Sequence, residues 1–193
     1  MGNSISVAMA NLVTERSSGR PTMPVLQTER LVLREFQPAD FHFVSLWRSD
    51  FGVLYTDVEA NDFLSFCFRE YLKWGIGPWA MVLRETGRVV GSCGFCHLEP
   101  DRSMGDVNYY VAPQNRAQGL ASEALRAILK YGFEGLGLSL IRALCTPDSA
   151  ASERVAQKAG MAFERMVLAD EIAKRASSAD FRLYKIDRED FEP

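Results

Sequence analysis

The chain has 193 residues, 47% hydrophobic and 24% charged, which is the length and make-up of one globular domain with a sizeable core. A formal net charge of −3 and a pI near 5.5 give no electrostatic footprint for nucleic acid and favour an amine-bearing partner only weakly. No window approaches the roughly 18 consecutive apolar residues of a membrane span, so no membrane association is expected.

Residues 1–24 read as a flexible leader, and residues 25–193 as a single domain. The opening MGNSISVAMANLVTERSSGR lacks the basic flank and apolar core of a signal peptide. Gly2 and Ser6 fit the myristoylation pattern, which is short and permissive. LQTERLVLREF then alternates, with Leu31 and Leu33 on one side and Val32 and Arg34 on the other, and predicts a first strand. QPADFHFVSLWRSD predicts a helix beginning near Pro38, with Asp40 in its first turn and an apolar face of Phe41, Val44, Leu46 and Trp47. NDFLSFCFREYLKWG predicts a second helix, capped by Asn61 or Asp62 and ended by Gly75.

WAMVLRETGRVVGSCGFCHLE follows as two strands around the turn ETGR. GDVNYYVAP is the fourth strand, closed by Pro113, and a helix is predicted over 118–134. GLSLIRALCT is the fifth strand and runs into a helix at PDSAASERVAQKAG, which Gly160 ends. FERMVLAD and DFRLYKIDRED close the chain as two strands. This order describes a mixed α/β domain with a largely antiparallel sheet.

The four cysteines are Cys67, Cys93, Cys96 and Cys145. CGFC has the spacing of a redox motif but lies in a strand-like run, whereas thioredoxin-type chemistry needs the first cysteine at a helix N-terminus. Buried, reduced thiols are expected, as suits a cytoplasmic protein. His42 and His97 stand far apart with no Cys/His cluster, so no metal site is expected.

The stretch that carries chemistry is VAPQNRAQGLASEALRAILKYGF, residues 111–133, where a strand end passes through a loop into an amphipathic helix. The first turn of a helix presents N–H groups with no internal acceptor, and the helix dipole adds positive potential there. Gly119 and Ala121 leave room for a diphosphate to approach, and Arg116 can add a charge-assisted contact. An anionic cofactor is therefore expected on the loop 116–122, although a tight turn alone explains the small residues equally well. There is no lysine after the last glycine, as a P-loop requires, and no GxGxxG.

RxxGxA following NYYVAP resembles the acyl-CoA pyrophosphate loop of the GNAT superfamily of N-acetyltransferases. LQTERLVLREFQPADF resembles the TxRLxLRxxxxxD opening of its RimJ/RimL-like branch, the ribosomal-protein N-terminal acetyltransferases. GSCGF is similar to that branch's third strand, PDSAASERVAQKAGMAFE to its NxxSxRVxEKxGF helix, and YKIDREDF to its closing YxLxxxxW. The resemblance covers about residues 26–191, with the motifs in family order.

The resemblance implies a GNAT-like α+β fold: a twisted, mostly antiparallel sheet of about seven strands flanked by about four helices. The fourth and fifth strands would splay apart to hold the pantetheine arm. It implies an acetyl-CoA-dependent N-acetyltransferase acting on a primary amine, either a protein N-terminus or a small molecule, by direct attack in a ternary complex. The cofactor would meet the backbone of Tyr110, Val111 and Ala112, the loop Arg116, Ala117, Gln118, Gly119, Leu120, Ala121 and Ser122, and Ser149. No metal is implied, and a monomer or homodimer is the default.

Acetyl transfer needs a neutral amine, a stabilised oxyanion and a proton for the departing thiolate. Freeing an α-amine at pH 7 costs only ~1 kcal/mol, against ~4–5 kcal/mol for a lysine. A carboxylate acting through water would therefore suffice for an α-amine. Asp106 aligns with an acidic position of the branch and is the candidate base or ammonium anchor, though a solvent-facing strand-end aspartate reads the same way. The N–H near Val111 would meet the oxyanion. Ser152 matches the serine whose hydroxyl donates to the CoA sulfur in this branch, and Tyr184 matches the closing-strand tyrosine that could supply a proton. Ser149 and Ser152 equally suit helix caps, and Tyr184 equally suits a core.

Three positions depart from the pattern: Ser149 replaces the asparagine expected there, Ala156 stands where some members carry a catalytic tyrosine, and Gly160 is followed by Met161 instead of an aromatic residue. The departures at Ser149 and Ala156 leave open a non-catalytic acyl-CoA-binding or regulatory module, and a nucleotide-binding protein is a separate alternative. The aromatic residues Phe36, Trp47, Phe51, Tyr55, Trp74 and Trp79 either wall an acceptor pocket or simply form core.

Overall fold

The computed structural model describes residues 23–47, 56–168, 171 and 180–192. Gly2, Ser6, Phe51 and Tyr55 lie outside these, as does the expected leader apart from Met23 and Pro24. Met23 is buried and Pro24 accepts a hydrogen bond from Trp79 Nε1 at 2.9 Å, so packed structure reaches back into the segment read as leader.

The strands are β1 (Leu26–Gln27), β2 (Leu31–Arg34), β3 (Pro78–Leu83), β4 (Val89–Leu98), β5 (Met104–Val111), β6 (Leu140–Cys145), β7 (Ala162–Val167) and β8 (Phe181–Asp187). They form one 8-stranded mixed sheet in the order β1-β2-β3-β4-β5-β6-β8-β7. The helices are α1 (Phe41–Val44), α2 (Asp57–Trp74), α3 (Leu120–Lys130) and α4 (Ala150–Lys158). The chain divides into two compact units, Met1–Ser92 with Val111–Arg116, and Cys93–Tyr110 with Ala117–Pro193.

In the first unit, LQTERLVLREF is a hairpin and not one strand. The Leu31 N–H donates to Thr28 Oγ1 at 3.0 Å and the Thr28 N–H to the Leu31 carbonyl at 2.9 Å, folding β1 back on β2 with Leu26 opposite Leu33. A threonine side chain that satisfies a nearby backbone donor competes with continued extension, and this turn accounts for the extra strand. β2 pairs antiparallel with β3. β3 turns toward β4 through Gly87, whose φ of 68° suits a residue without a Cβ.

The helix expected from Pro38 is a 3₁₀ turn, Pro38–Asp40, followed by the single turn of α1. Asp40 lies in the first turn as expected, where it caps the helix start, and it also has a second partner. It is buried and forks onto Arg34, with Nη1 at 2.7 Å and Nη2 at 2.9 Å, and it also accepts the Gln37 N–H at 2.8 Å. α2 begins earlier than Asn61. Thr56 Oγ1 accepts the Glu59 N–H at 3.2 Å while Glu59 accepts the Thr56 N–H at 2.7 Å, a reciprocal cap spelled T-D-V-E in the sequence. Gly75 ends α2 at φ 69° as expected.

Phe36, Trp47 and Phe63 stack edge-on with ring centroids 5.3–6.1 Å apart, and Trp79 is fully buried, so these aromatics are core. Each such ring contributes of order 1.5–3 kcal/mol through burial. Trp74 is half-buried under the Lys73 ammonium, 4.6 Å from the ring centroid.

In the second unit β5 and β6 run parallel, and β8 runs antiparallel to both β6 and β7. α3 buries Leu120, Ala124, Leu125, Ile128 and Leu129, the spacing of one helical face, and then loosens into a π-turn over Tyr131–Gly135. Gly132 in that turn lets the helix approach the sheet, since a Cβ there would lie 2.6 Å from Ile141 Cδ1 and 2.9 Å from Phe95 Cζ. Cys93 and Cys96 of CGFC lie on β4, and all four cysteines are free thiols.

Candidate active site

The site begins where two parallel strands part. β5 and β6 pair from Met104 opposite Leu140 to Val107 opposite Ala143, and there the pairing stops. Beyond it Leu144 and Cys145 follow β8, opposite Leu183 and Arg182. β5 instead continues through Asn108 and Tyr109 to Val111. These are the fourth and fifth strands of the sequence reading, and they splay as expected. Ala112 donates its N–H to the Val90 carbonyl at 2.8 Å. Because adjacent residues of a strand point their amides to opposite edges, Val111 directs its N–H to the other edge of β5. The Val111 carbonyl is met by Arg116 Nε at 2.9 Å, so this guanidinium lies back along its own strand end.

Three polar side chains meet just past the parting point. Tyr109 donates its hydroxyl to the Ser152 carbonyl at 2.8 Å, Ser152 Oγ donates to the Tyr109 oxygen at 3.1 Å, and Cys145 Sγ lies 3.3 Å from Ser152 Oγ and 3.4 Å from Tyr109 Oη. Burial, reinforced by Cys145, holds the Tyr109 phenol well above the usual tyrosine range. Ser152 is placed by α4, whose start is capped by Ser149 Oγ accepting the Ser152 N–H at 3.3 Å. Ser149 thus serves the helix start with its side chain.

Tyr184 stands apart from this cluster. Its hydroxyl donates to Glu153 Oε2 at 2.9 Å, and Gln157 Nε2 approaches it at 3.5 Å. Glu153 is also ion-paired to Arg182. Burial and then Glu153 raise the Tyr184 phenol above its ordinary value, while the Tyr184 hydrogen bond and then Arg182 lower the Glu153 carboxyl. The Tyr184 hydroxyl proton is thus given to Glu153, and the bond ties β8 to α4.

The loop ahead of α3 has a distinctive backbone. Ala117 and Gly119 both sit in the left-handed region, at φ 60° and 80°, and the residues from Arg116 to Gly119 are exposed. A left-handed alanine costs of order 1 kcal/mol, strain of the kind found where a loop is shaped for a ligand. Gly119 is the N-cap and has no side chain to satisfy the first-turn N–H groups of Leu120, Ala121 and Ser122. Leu120 is buried and anchors the turn, while Ala121 and Ser122 are half-buried.

On β5 the side chains alternate, so Asp106 faces the opposite side of the sheet from Tyr109. Asp106 lies directly across from Arg142 on β6, with Nε to Oδ1 at 2.9 Å and Nη2 to Oδ2 at 3.4 Å. The pair lines a cavity of about 250 Å³ together with Leu144, Arg165, Val167 and Leu183. Among the described residues no group of His, Cys, Asp and Glu is placed to hold a metal ion, and no helix is long and apolar enough to cross a membrane.

The profile of the acetyltransferase (GNAT) domain family matches residues 30–162. The chain belongs to that family. Among curated proteins it is 28% identical over 172 residues to the uncharacterized N-acetyltransferase YoaA of Bacillus subtilis, a match covering 84% of this chain and 96% of that one. A GNAT-family acetyltransferase structure from Bacillus anthracis superposes with a TM-score of 0.71 at 28% identity, covering 86% of this chain and 99% of that one. A putative ribosomal-protein-serine acetyltransferase from Vibrio cholerae shares the fold, with a TM-score of 0.74 at 18% identity over 88% of this chain and 99% of that one. The fold is therefore the GNAT fold, and the protein is an N-acetyltransferase of the family that uses acetyl-CoA.

Coenzyme A fits the residues present. An uncapped helix N-terminus behind two left-handed residues suits a diphosphate, and the β5 edge beyond Val107 suits the amide-bearing pantetheine arm. The sequence reading missed Tyr109 and Arg142. Tyr109 stood visible inside NYY, but the cross-strand register that joins it to Cys145 and joins Asp106 to Arg142 leaves no local signal.

Proposed function

We propose that this acetyltransferase belongs to the RimJ/RimL-like branch and acetylates an amine of low basicity, such as the α-amine of a protein N-terminus, by direct attack in a ternary complex. The observation that carries the reading is the parting of β5 from β6 after Val107, with Ser152 and an uncapped α3 in the same unit. When bound, acetyl-CoA supplies an acetyl group activated as a thioester. The first-turn amides of α3 would hold the diphosphate, with Ala117, Gly119 and Ala121 leaving clearance. The β5 edge around Tyr110 and Val111 would pair with the pantetheine amides, and the Val111 N–H would be the donor for negative charge on the acetyl oxygen. Ser152 Oγ would be the proton donor at the sulfur.

The choice of amine follows from Asp106. Both of its oxygens are engaged by Arg142, which leaves a carboxylate able to orient an ammonium or a water but not a freestanding strong base. An α-amine needs only ~1 kcal/mol to be neutral at pH 7, so it reacts without one, whereas a lysine would not. The cavity beside Asp106 is lined by Arg142, Arg165 and Glu171 as well as by Leu144, Val167 and Leu183, and would suit a small polar first residue of the acceptor.

Thermal shift with acetyl-CoA, CoA and ATP, followed by product mass spectrometry on matched peptides, tests the reading. The expected result is stabilisation by both CoA ligands and not by ATP, with acetyl transfer to free N-termini and none to lysines of N-terminally blocked peptides. Stabilisation by CoA without turnover on any amine would favour a binding module, and preference for lysine would overturn the acceptor assignment.

A further inference from the structure

Tyr109 occupies the mouth of the splay. Its hydroxyl bridges the carbonyl and the Oγ of one residue, Ser152, at 2.8 and 3.1 Å, while Cys145 Sγ closes the triangle. We propose that Tyr109 is a positioning residue that holds the Ser152 hydroxyl at the sulfur of coenzyme A. The inference rests on Ser152 acting at that sulfur and adds the group that makes the action possible.

The argument is one of hydrogen-bond supply. Ser152 has a single hydroxyl proton and a side chain free to rotate among staggered wells. Of the two groups within reach of that hydroxyl, Cys145 Sγ on β6 at 3.3 Å is a weak acceptor and Tyr109 Oη on β5 at 3.1 Å a strong one, so Tyr109 holds it at the gap and keeps it from turning along α4. The second bond, from Tyr109 to the Ser152 carbonyl, pins the first turn of α4 to β5. A serine on a helix start has little else to fix its distance from a strand two elements away in the sequence.

Tyr109 does not itself supply the proton. Its phenol is pushed above the usual range by burial, which disfavours the phenolate that net transfer would leave behind. As the structure stands Ser152 Oγ gives its proton to Tyr109 Oη; with the cofactor bound, the Tyr109 proton turns from the Ser152 carbonyl to Ser152 Oγ, which leaves the Ser152 proton for the sulfur.

The test needs no knowledge of the acceptor. Calorimetric titration with CoA and with desulfo-CoA, under a thiol reductant because Cys145 shares the cluster, isolates the contribution of the sulfur. The wild-type protein is expected to bind CoA about three- to tenfold more tightly than desulfo-CoA, the worth of one hydrogen bond. Ser152→Ala and Tyr109→Phe are each expected to bring that ratio close to one. Desulfo-CoA affinity should change by less than about twofold, and the double variant should lose no more than either single one.

Phenylalanine keeps the ring, and retained desulfo-CoA binding shows that the fold survives. Cys145→Ala serves as the second variant and is expected to keep the wild-type ratio. A Tyr109→Phe protein that keeps the ratio while Ser152→Ala loses it would overturn the role of Tyr109 alone, as would loss of the ratio in Cys145→Ala. A wild-type protein that binds neither ligand would overturn the cofactor reading and this inference with it.

Discussion

Replacing Asp40 with alanine tests how much of the first unit depends on one buried carboxylate. The Asp40 side chain is 4% exposed and Arg34 is 23% exposed. Asp40 accepts both Arg34 nitrogens, at 2.7 and 2.9 Å, and the Gln37 N–H at 2.8 Å. Removing one partner of a buried pair typically costs about 3–5 kcal/mol, because the other charge is left without compensation. Arg34 keeps a bond from Nη1 to the Glu35 carbonyl at 2.9 Å and is partly reached by water, which brings the expected cost to about 2–4 kcal/mol. For a chain of this length that lowers Tm by about 5–15 °C.

The assay is thermal and urea unfolding followed by circular dichroism, with Arg34→Met and the double variant completing a cycle. The double variant should be more stable than Asp40→Ala alone, since it strands no charge. An Asp40→Ala loss below about 1 kcal/mol, or a double variant worse than either single one, would show that the pair behaves as an exposed salt bridge and that the reasoning fails.

The remaining expectations concern the site and its thiols. Gly119→Ala forces a Cβ into a φ of 80°, so it should cost about 1–2 kcal/mol in unfolding experiments and weaken CoA binding by more than about tenfold in calorimetry. The Tyr109 phenol is raised above its usual value of 10.0, so the folded state retains a proton that the unfolded state releases as pH climbs through 10, and stability falls with rising pH in that window. Tyr109→Phe removes this contribution and should flatten the stability profile between about pH 9 and 11, read by urea midpoints. Iodoacetamide should label the half-buried Cys96 first in the native protein. Cys67 and Cys93, whose thiols burial pushes far up, should resist until unfolding, as peptide mass spectrometry would show.

What the sequence made legible was whatever local spacing encodes. The strand GDVNYYV closed by Pro113, the glycine ending α2 and the small residues before α3 all sit where one element's own pattern placed them. The motif LREFQPAD was also legible as a family mark, yet its physical content was not. Its arginine and aspartate lie on a strand and a following turn, and only the folded chain shows that Asp40, besides capping that turn, pairs with Arg34. The early start of α2 was readable, since Thr56 and Glu59 have the spacing of a reciprocal cap, but the weight given to Asn61 hid it. The hairpin within LQTERLVLREF was less so, because a threonine that caps its own turn looks like any β-branched strand residue. Roles in the site that depend on cross-strand register, Tyr109 with Cys145 and Asp106 with Arg142, have no one-dimensional trace.

The parity of a single strand organises the chemistry of the second unit. Val107 is the last β5 residue paired with β6, and its side chain is buried. One residue to either side of it, the side chains face the same way as Asp106, toward the cavity shared with Leu144 and Arg165. Two residues on, Tyr109 faces the helix side, where Ser152 and Cys145 meet it. A sheet that stayed closed would keep these two faces strangers, because backbone hydrogen bonds would fill the space between β5 and β6. Ending the pairing after four residue pairs removes that barrier without exposing unsatisfied backbone at random, since the freed edge of β5 is the kind of donor and acceptor row that an amide-bearing ligand satisfies. The same break therefore leaves the β5 edge beyond Val107 unpaired with β6, with the Asp106 cavity on one face of the sheet and the Tyr109, Ser152 and Cys145 cluster on the other.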